Sequence, residues 1–382
     1  MEHFKVVRFG PLGNIDIQFG DLTILVGAQA SGKSMSLELL KLLVDRDHII
    51  KTLDRYNYIF GHSPKKILDM YFGDGMAEVW HNDSLVTLDG KDYPKSEIPA
   101  KAGDKDETLF YIPAQRILSI ADGRPKNFME FDNTSPYVLR SFSETLRLFM
   151  QNGIPSDTLF PLKNRLKEGL RESFNKSIFH DGQVVMEESA GQKKMRLKVG
   201  EMNLPFMTWS AGQKEFMPLL LGFYCLSGPP SKVVKREKYR YAVIEEPEMG
   251  LHPNAIISVL LQIVELIQNG YKVIVSTHSP VLLEFAWAFN LLKNGNAPRR
   301  NKALCEIFGV EGRSPVKSML TNVFETKSIR TYFFKRNAEG MVESKDISTL
   351  DASDEDLSIS EWGGISGFSS RVTDVVSRYL IG

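Results

Sequence analysis

The segment from Gly27 to Ser34 constrains this 382-residue chain more than any other. It reads GAQASGKS and matches the pattern GxxxxGK[ST], and it lies between an apolar run at 22–26 and a helical pattern at 35–46. Such a loop holds phosphate groups with its backbone N–H groups at the start of a helix. A strand, a loop and a helix in this order predict an α/β fold built around a phosphate-binding loop, here called the P-loop.

Within the P-loop, Lys33 is expected to pair with the β- and γ-phosphates of a nucleotide, and the Ser34 hydroxyl is expected to bind Mg²⁺. The predicted phosphate-binding positions are Gly27, Ala28, Gln29, Ala30, Ser31, Gly32, Lys33 and Ser34.

Charge and cysteine content exclude several classes of protein. The chain has 47 Lys and Arg against 47 Asp and Glu, so bulk electrostatics cannot hold nucleic acid or anionic lipid, although a local basic patch leaves DNA open as a partner. Cys225 and Cys305 are too few for a disulfide framework, which favours a reducing cytoplasm. The charged N-terminus lacks a secretory core, and the longest uncharged stretch, 216–231, contains prolines and is too short for a bilayer. We expect a cytoplasmic chain that starts at Met1 and does not insert into a membrane.

Hydrophobic periodicity divides the chain into four segments. The first, 1–134, contains the P-loop and is predicted to have an opening hairpin around a turn at 11–14 and a strand-rich, antiparallel part from 66 to 113 that includes ILDMYF, MAEVWH and SLVTL. The second, 135–200, is predicted as an insertion with helices at 137–150 and 161–174 and strands at 182–189 and 193–199.

The remaining segments are 201–300 and 301–382. In the third, helices at 211–226 and 254–269 alternate with apolar strands at 241–244 and 271–276, which predicts a parallel sheet. Gly270 is placed to end the second of these helices. The fourth segment is predicted to hold a hairpin, 329–336 and 341–349, followed by a last helix.

Four further segments carry polar groups suited to chemistry. The Walker B segment, AVIEEPE at 242–248, puts acids at a strand end, where they can hold the water shell of a metal and orient a hydrolytic water. Taken alone, acids after a strand are more often solvent-exposed groups without a function. Together with a P-loop, a role in metal binding and hydrolysis is favoured. The signature segment, SAGQKE at 210–215, is an N-cap or an anion site. The switch segment, STHSP at 276–280, carries a histidine at the end of a buried strand, and a single histidine there usually has a structural role. The segment YIPAQR at 111–116 does not by itself indicate a function.

Taken in order, these five motifs resemble those of the ATP-binding cassette (ABC) ATPases. The closer resemblance is to the prokaryotic branch that includes the SMC, RecF and overcoming-lysogenization-defect (OLD) ATPase heads, and it covers most of residues 1–285. It is carried by FGPLGNIDIQFGDLTILVGAQASGKS, SAGQKE, IEEPEMGLHP and STHSP. The resemblance implies an α/β P-loop ATPase head with a mixed β-sheet core, an antiparallel β subdomain and a helical insertion.

The resemblance also implies a site that uses ATP and Mg²⁺. Gln115 would be the Q-loop residue that senses the metal and the attacking water, and Glu245 would hold the metal with Ser34 and Gln115. Glu246 would be the catalytic base, and His278 the γ-phosphate switch.

The signature residues would act across a dimer. Ser210, Gly212 and Gln213 would contact ATP bound by a second subunit, so that a complete site forms only in an ATP-bound, head-to-tail homodimer. The chain departs from the family pattern at three positions. Glu245 stands where transporters and SMC heads usually have Asp, His252 takes the place of the D-loop aspartate, and Ala211 replaces a signature glycine.

These features predict an ATPase whose ATP-dependent dimerisation controls an effector protein such as a nuclease or toxin, by analogy in DNA maintenance or antiphage defence. A transporter's nucleotide-binding subunit and an ATP-holding scaffold are the alternatives, and the large insertion argues against the transporter. About 100 residues follow His278, too few for the hairpin and an appended Toprim nuclease. We expect Asp351, Asp354 and Asp356 to be solvated loop acids rather than a metal site.

Overall fold

The computed structural model describes residues 1–98, 105–154, 156–189, 191–230, 234–293, 295–309 and 315–381. Its strands are β1 (His3–Phe9), β2 (Leu12–Gln18), β3 (Leu22–Gly27), β4 (Trp80–Leu88), β5 (Lys91–Asp92), β6 (Leu109–Ile112), β7 (Ile120–Ala121), β8 (Arg124–Pro125), β9 (Thr158–Phe160), β10 (Gln183–Ser189), β11 (Gln192–Val199), β12 (Met202–Pro205), β13 (Tyr241–Glu245), β14 (Lys272–Ser276), β15 (Ile329–Arg336) and β16 (Val342–Asp346).

Helices connect and cover these strands. They are α1 (Lys33–Arg55), α2 (Pro64–Phe72), α3 (Tyr137–Asn152), α4 (Glu168–Phe174), α5 (Ala211–Ser227), α6 (Pro253–Gln268), α7 (Pro280–Lys293), α8 (Ala297–Ile307), α9 (Pro315–Thr326), α10 (Leu357–Ser360) and α11 (Gly367–Ile381). No helix within the described ranges is both long enough and apolar enough to cross a bilayer.

A mixed sheet forms the centre of the fold. In the described part of the chain it has ten strands in the order β5-β4-β1-β2-β16-β15-β3-β14-β13-β6. The strands β15, β3, β14, β13 and β6 run parallel, whereas β5, β4, β1 and β2 pair antiparallel. The predicted α/β class with a mixed sheet and antiparallel parts is confirmed.

The parallel strands are buried on both faces. Along β3, Leu22, Ile24 and Val26 pack into one hydrophobic core with α5, α6 and α7, while Leu25 packs into another with α1 and α2. Side chains alternate between the two faces of a strand, so a strand between two helical layers must be apolar throughout. This burial explains why 22–26 and 271–276 read as continuous apolar runs.

The predicted C-terminal hairpin belongs to the main sheet. Its first strand, β15, pairs parallel with β3, and its second, β16, pairs parallel with β2. The hairpin therefore fills the space between the opening hairpin and the strand that leads into the P-loop. The division of the chain at residues 134, 200 and 300 stays a prediction.

The segment 135–200 contributes α3, α4 and most of a second sheet. This sheet is antiparallel, in the order β12-β11-β10-β9. The helix predicted at 137–150 and the strands predicted at 182–189 and 193–199 are confirmed. The segment packs against both α5 and α6, which carry the signature segment and the chain after the Walker B segment.

Three local predictions in the first segment are wrong. The run ILDMYF at 67–72, predicted as a strand, lies in α2, and 76–79 form a 3₁₀ turn. Ser63 caps α2 by accepting the Lys66 N–H, Pro64 suits its first turn, and the apolar residues fall on one helical face. The opening turn is also tighter than predicted, because Phe9 pairs directly with Leu12.

The predicted helix 161–174 is wrong over its first half. The structure has a strand at 158–160, and α4 begins at Glu168. Arg165 lies between these elements and is 5% exposed, and its guanidinium donates to the backbone oxygens of Gly153, Tyr224 and Pro229. An arginine that satisfies three carbonyls of neighbouring loops favours an irregular segment over a helix.

A buried ion cluster fixes α1 against the sheet. Lys41, 1% exposed, donates to Asp45, Glu107 and the Leu109 carbonyl at 2.6 to 2.7 Å. Asp45 also accepts from the backbone N–H groups of Thr108 and Leu109. Burial lowers the pKa of Lys41, but the two carboxylates outweigh it and raise that pKa above its ordinary value. The cluster joins the helix that follows the P-loop to the start of β6.

We expect Lys41→Met to lower the free energy of unfolding by about 3 to 5 kcal/mol, because it leaves two buried carboxylates without their cation. Urea unfolding measures this change. Lys65→Met, which removes the exposed pair with Glu78, is the control and should leave stability nearly unchanged. Equal effects of the two substitutions would contradict the role given to the cluster.

Candidate functional site

The P-loop is shaped by residues in the left-handed backbone region. Gly32 has φ 79° and precedes α1, and no side chain caps that helix. A Cβ on Gly32 would lie 2.5 Å from Leu12 Cδ2, and one on Gly27 would lie 2.5 Å from the Phe334 carbonyl oxygen. Ala30 also has a positive φ, of 55°. The uncapped N–H groups at the start of α1 are free to meet an anion.

Lys33 lies folded over this loop. Its Nζ donates to the Gly27 oxygen at 2.9 Å and the Ala28 oxygen at 3.0 Å, and the side chain is buried. Burial lowers the pKa of Lys33, and the nearby carboxylates of Glu246, Glu245 and Glu248 oppose that effect. The ammonium therefore sits between the P-loop and the acids of the Walker B segment.

Glu245 ends β13 as a buried carboxylate, 3% exposed. Its Oε2 accepts the Ala114 N–H at 3.2 Å, while its Oε1 has no hydrogen-bond partner among the described residues. Burial raises the pKa of Glu245, and the hydroxyls of Ser34 and Tyr111 oppose the rise. An unpartnered carboxylate oxygen beside a serine hydroxyl is the oxygen donor set that Mg²⁺ prefers. The residues present therefore fit this metal.

Glu246 and His278 face each other across the ends of two strands. Glu246 Oε1 lies 3.6 Å from His278 Nε2, and the two side chains are 29% and 34% exposed. Glu246 has φ 41°, an uncommon conformation for a residue with a side chain, and its N–H donates to the Ser276 oxygen at 2.8 Å. The pair is partly open to solvent, where a substrate can reach it.

Gln115 stands close to this group. It is exposed and precedes the 3₁₀ turn 116–119, and the residue before it donates to Glu245. The structure thus brings together the P-loop, Gln115, Glu245, Glu246 and His278 at one edge of the sheet.

The signature residues bond elsewhere. Ser210 and Gln213 form a capping box at the start of α5, each side chain accepting the other's backbone N–H at 3.2 Å, and Gln213 Nε2 donates to the Ile178 oxygen. A Cβ on Gly212 would lie 2.8 Å from the Gly250 oxygen. None of these contacts reaches the P-loop of the same chain.

His252, in the predicted D-loop position, caps α6. Its Nδ1 accepts the Asn254 N–H at 3.3 Å, and Pro253 occupies the first helical position. The capping bond gives this histidine a structural role that the motif comparison did not predict.

Three residues near the site were given no role by the sequence analysis. Glu248 accepts from Thr277 Oγ1 at 2.7 Å and from the His278 N–H at 2.6 Å, and so fixes the switch segment. Arg336, at the end of β15, donates to the Ala30 oxygen in the P-loop at 2.8 Å. Arg116 is fully buried and donates to the backbone oxygens of the Walker B segment. Each binds backbone or a loop from a distant segment, which sequence spacing cannot reveal.

A comparison with protein families identifies the class. The profile described as "AAA domain, putative AbiEii toxin, Type IV TA system" matches residues 87–284, just over half of the chain. The chain belongs to this family and carries an AAA-type ATPase domain. The matched range includes the signature, Walker B and switch segments and begins after the P-loop.

Individual relatives are more distant. The Old nuclease of Escherichia phage P2 is 42% identical over 66 residues, which are 16% of this chain and 11% of that protein. An Smc head bound to the C-winged helix domain of ScpA matches with 14% identity and a TM-score of 0.41, covering 90% of this chain and 96% of the other. The SMC head domain from Thermotoga maritima matches with 12% identity and a TM-score of 0.37, covering 90% and 98%. The chain spans a small part of the nuclease, so that protein's activity does not carry over.

The left-handed backbone at Glu246 predicts that a glycine substitution there is more stable than an alanine substitution. A left-handed conformation costs a residue with a Cβ about 1 kcal/mol, whereas glycine adopts it freely. We therefore expect Glu246→Gly to be more stable than Glu246→Ala by about 1 kcal/mol in urea unfolding. At Glu284, exposed inside α7, the order of the same two substitutions should reverse. Alanine being the more stable at both positions would contradict the strained conformation.

Proposed function

We propose that this chain binds ATP with Mg²⁺ and hydrolyses it to ADP and phosphate in a site that two copies complete. The observation that carries the proposal is the meeting of Lys33, the Glu245 carboxylate, whose Oε1 has no hydrogen-bond partner among the described residues, and the Glu246–His278 pair at one sheet edge. A P-loop alone would support phosphate binding. The acids beside it add the groups that hydrolysis needs.

Binding would begin with the P-loop. Its N–H groups at the start of α1 would hold the phosphates, and Lys33 would exchange the Gly27 and Ala28 oxygens for phosphate oxygens. Ser34, Glu245 and Gln115 would hold Mg²⁺, which neutralises charge on the β- and γ-phosphates. The loss of two carbonyl contacts by Lys33 is offset by charged contacts with phosphate.

Glu246 would act as the general base for hydrolysis. Its carboxylate would accept a proton from a water whose oxygen bonds to the γ-phosphorus, while the bond from that phosphorus to the bridging oxygen of ADP breaks. His278, whose Nε2 lies 3.6 Å from Glu246 Oε1, would contact the γ-phosphate and orient the carboxylate. Glu248 would hold this histidine through its backbone N–H.

A second copy would supply the signature segment. Ser210 is exposed and heads α5, and its hydrogen bonds leave the P-loop of its own chain untouched. A helix start that presents N–H groups to solvent suits the phosphate of a neighbouring nucleotide. On this proposed ATP-bound homodimer rests the further proposal that dimerisation controls an effector such as a nuclease or toxin. The family description, which names a toxin system, favours an effector of that kind. We place this action in the cytoplasm, with DNA as an open partner.

The first test separates binding from hydrolysis. Lys33→Ala should lose ATP binding, since it removes the phosphate-pairing charge, while Glu246→Gln should bind ATP and hydrolyse it at least about 100-fold more slowly. Binding is measured with a fluorescent nucleotide and turnover by phosphate release, each with and without Mg²⁺. Lys335→Ala, outside the site, is the control for a lost lysine.

Two outcomes would contradict the assignment. Wild-type turnover by Glu246→Gln would exclude Glu246 as the base. Tight ATP binding without turnover, in the wild type and after dimer formation, would favour an ATP-holding scaffold instead.

The second test concerns the composite site. Ser210→Asp keeps the helix cap but sets a negative charge against the neighbour's phosphate, whereas Ser210→Asn keeps the cap without the charge. Gly212 is less suitable, because any side chain there meets Gly250 of the same chain. Lys33→Ala and Ser210→Asp should each be inactive, and mixed they should recover roughly a quarter of wild-type turnover through heterodimers with one sound site.

Ser210→Asn should stay active in the same assay. Cross-linking of the ATP-bound protein is measured alongside, since strict coupling between the two sites would suppress recovery. A strictly monomeric ATP-bound protein that shows no recovery would exclude the composite site.

A further inference from the structure

Arg116 follows the predicted Q-loop residue and lies fully inside the protein. Its Nη1 donates to the backbone carbonyl oxygen of Glu245 and its Nη2 to the backbone carbonyl oxygen of Glu246, both at 3.0 Å. Its Nε donates to the Glu215 oxygen in α5 at 3.2 Å. One rigid side chain therefore joins the backbone of the Walker B segment to the backbone of the signature helix.

The chemistry of this contact requires arginine. Burial lowers the pKa of Arg116, and the surrounding carboxylates of Glu215, Glu248 and Glu246 oppose that effect and hold the charge. The hydrogen bonds of Arg116, however, go to backbone carbonyl oxygens and not to these carboxylates. A planar guanidinium with five N–H groups in a fixed fork can meet three carbonyls at once, which the single ammonium of lysine cannot do in the same geometry.

Glu246 is held by its backbone on both sides. Its N–H donates to Ser276 at the end of β14, and its carbonyl accepts from Arg116. Between these two bonds the residue has φ 41°. Such a conformation persists when its surroundings fix it, and it determines where the carboxylate points. Arg116 therefore takes part in aiming the side chain toward His278.

The start of α5 also packs on the chain that follows Glu246. Gly250 has φ 71° and lies close to Gly212. A Cβ on Gly212 would be only 2.8 Å from the carbonyl oxygen of Gly250. A Cβ on Gly250 would lie 3.2 Å from Glu215 Cγ. The first turn of α5 thus contacts both the turn after the Walker B segment and, through Arg116, the Walker B carbonyls.

We infer that Arg116 is a positioning residue that couples the signature helix to the hydrolytic carboxylate. It transmits a displacement of α5 to the Glu246 backbone, so that Glu246 is aimed for hydrolysis only when α5 has its nucleotide-engaged position. This inference rests on the proposed function of Glu246 and adds a regulatory connection to it.

The test compares two buried arginines. Arg116→Lys keeps the charge but loses the fork, and we expect it to lower kcat by between about tenfold and 100-fold while the Kd for ATP stays within about twofold. Arg165→Lys is the control, because Arg165 also donates to three carbonyls, one of them in α5, but none in the Walker B segment. It should lose comparable thermal stability and keep its kcat.

A second measurement does not depend on activity. Hydrogen exchange of the Glu246 amide, which donates to Ser276, should become faster in Arg116→Lys and remain unchanged in Arg165→Lys. Arg116→Gln, which keeps a shorter neutral donor, repeats the comparison if the lysine variant fails to fold. Unfolding of both Arg116 variants while Arg165→Lys folds would overturn the inference in favour of a purely structural role.

The outcomes separate this inference from the proposed function. A wild-type kcat in Arg116→Lys, with Glu246→Gln inactive, overturns the coupling and leaves the ATPase intact. If the wild type does not hydrolyse ATP, the proposed function fails. The exchange rate of the Glu246 amide then still decides whether Arg116 holds that backbone.

Discussion

The site depends on the parallel register of the central strands. The P-loop, Ala114, Glu246 and His278 come from distant parts of the chain, and each follows a strand whose carboxyl end lies at the same edge. Glu245 lies opposite Ser276, and Ser276 opposite Leu25. A slip of one residue in either pairing would turn these side chains to the other face. The two helical layers prevent that slip, because it would also exchange their apolar contacts.

The charged groups at this edge of the sheet are buried, and burial disfavours their charged forms. Lys33, Glu245 and Arg116 are all desolvated, and in each case burial shifts the pKa toward the neutral form. Opposite charges and backbone groups around them offset part of that cost, but Glu245 Oε1 has no hydrogen-bond partner in the part of the chain that the structure describes. The left-handed backbone at Glu246 adds further strain. Unsatisfied groups and a strained residue make this edge less stable than it could be, and such features cluster at functional sites.

Sequence patterns predicted the parts of this protein that depend on local spacing. The P-loop, the buried strands and the long amphipathic helices follow from composition within one element, whereas the roles of Gln115, Glu246 and His278 were predicted only through the resemblance to the ABC ATPases. The helix at 64–72 was mistaken for a strand because its apolar run is short, and in so short a run the two periods give similar patterns. Arg116, Glu248 and Arg336 could not be predicted, because their partners are mostly backbone atoms in distant segments.

The signature helix α5 is the element on which these contacts converge. Its cap residue Gln213 donates to Ile178 in the insertion, its first turn packs on Gly250, and Arg116 joins it to the Walker B segment. A protein bound to the insertion would therefore act on the same helix that we propose to contact the nucleotide of a second copy. The contacts on the two sides of α5 involve backbone atoms, so both depend on the position of the same helix. If Arg116 couples α5 to Glu246 as inferred, these contacts give the insertion a physical route to that carboxylate.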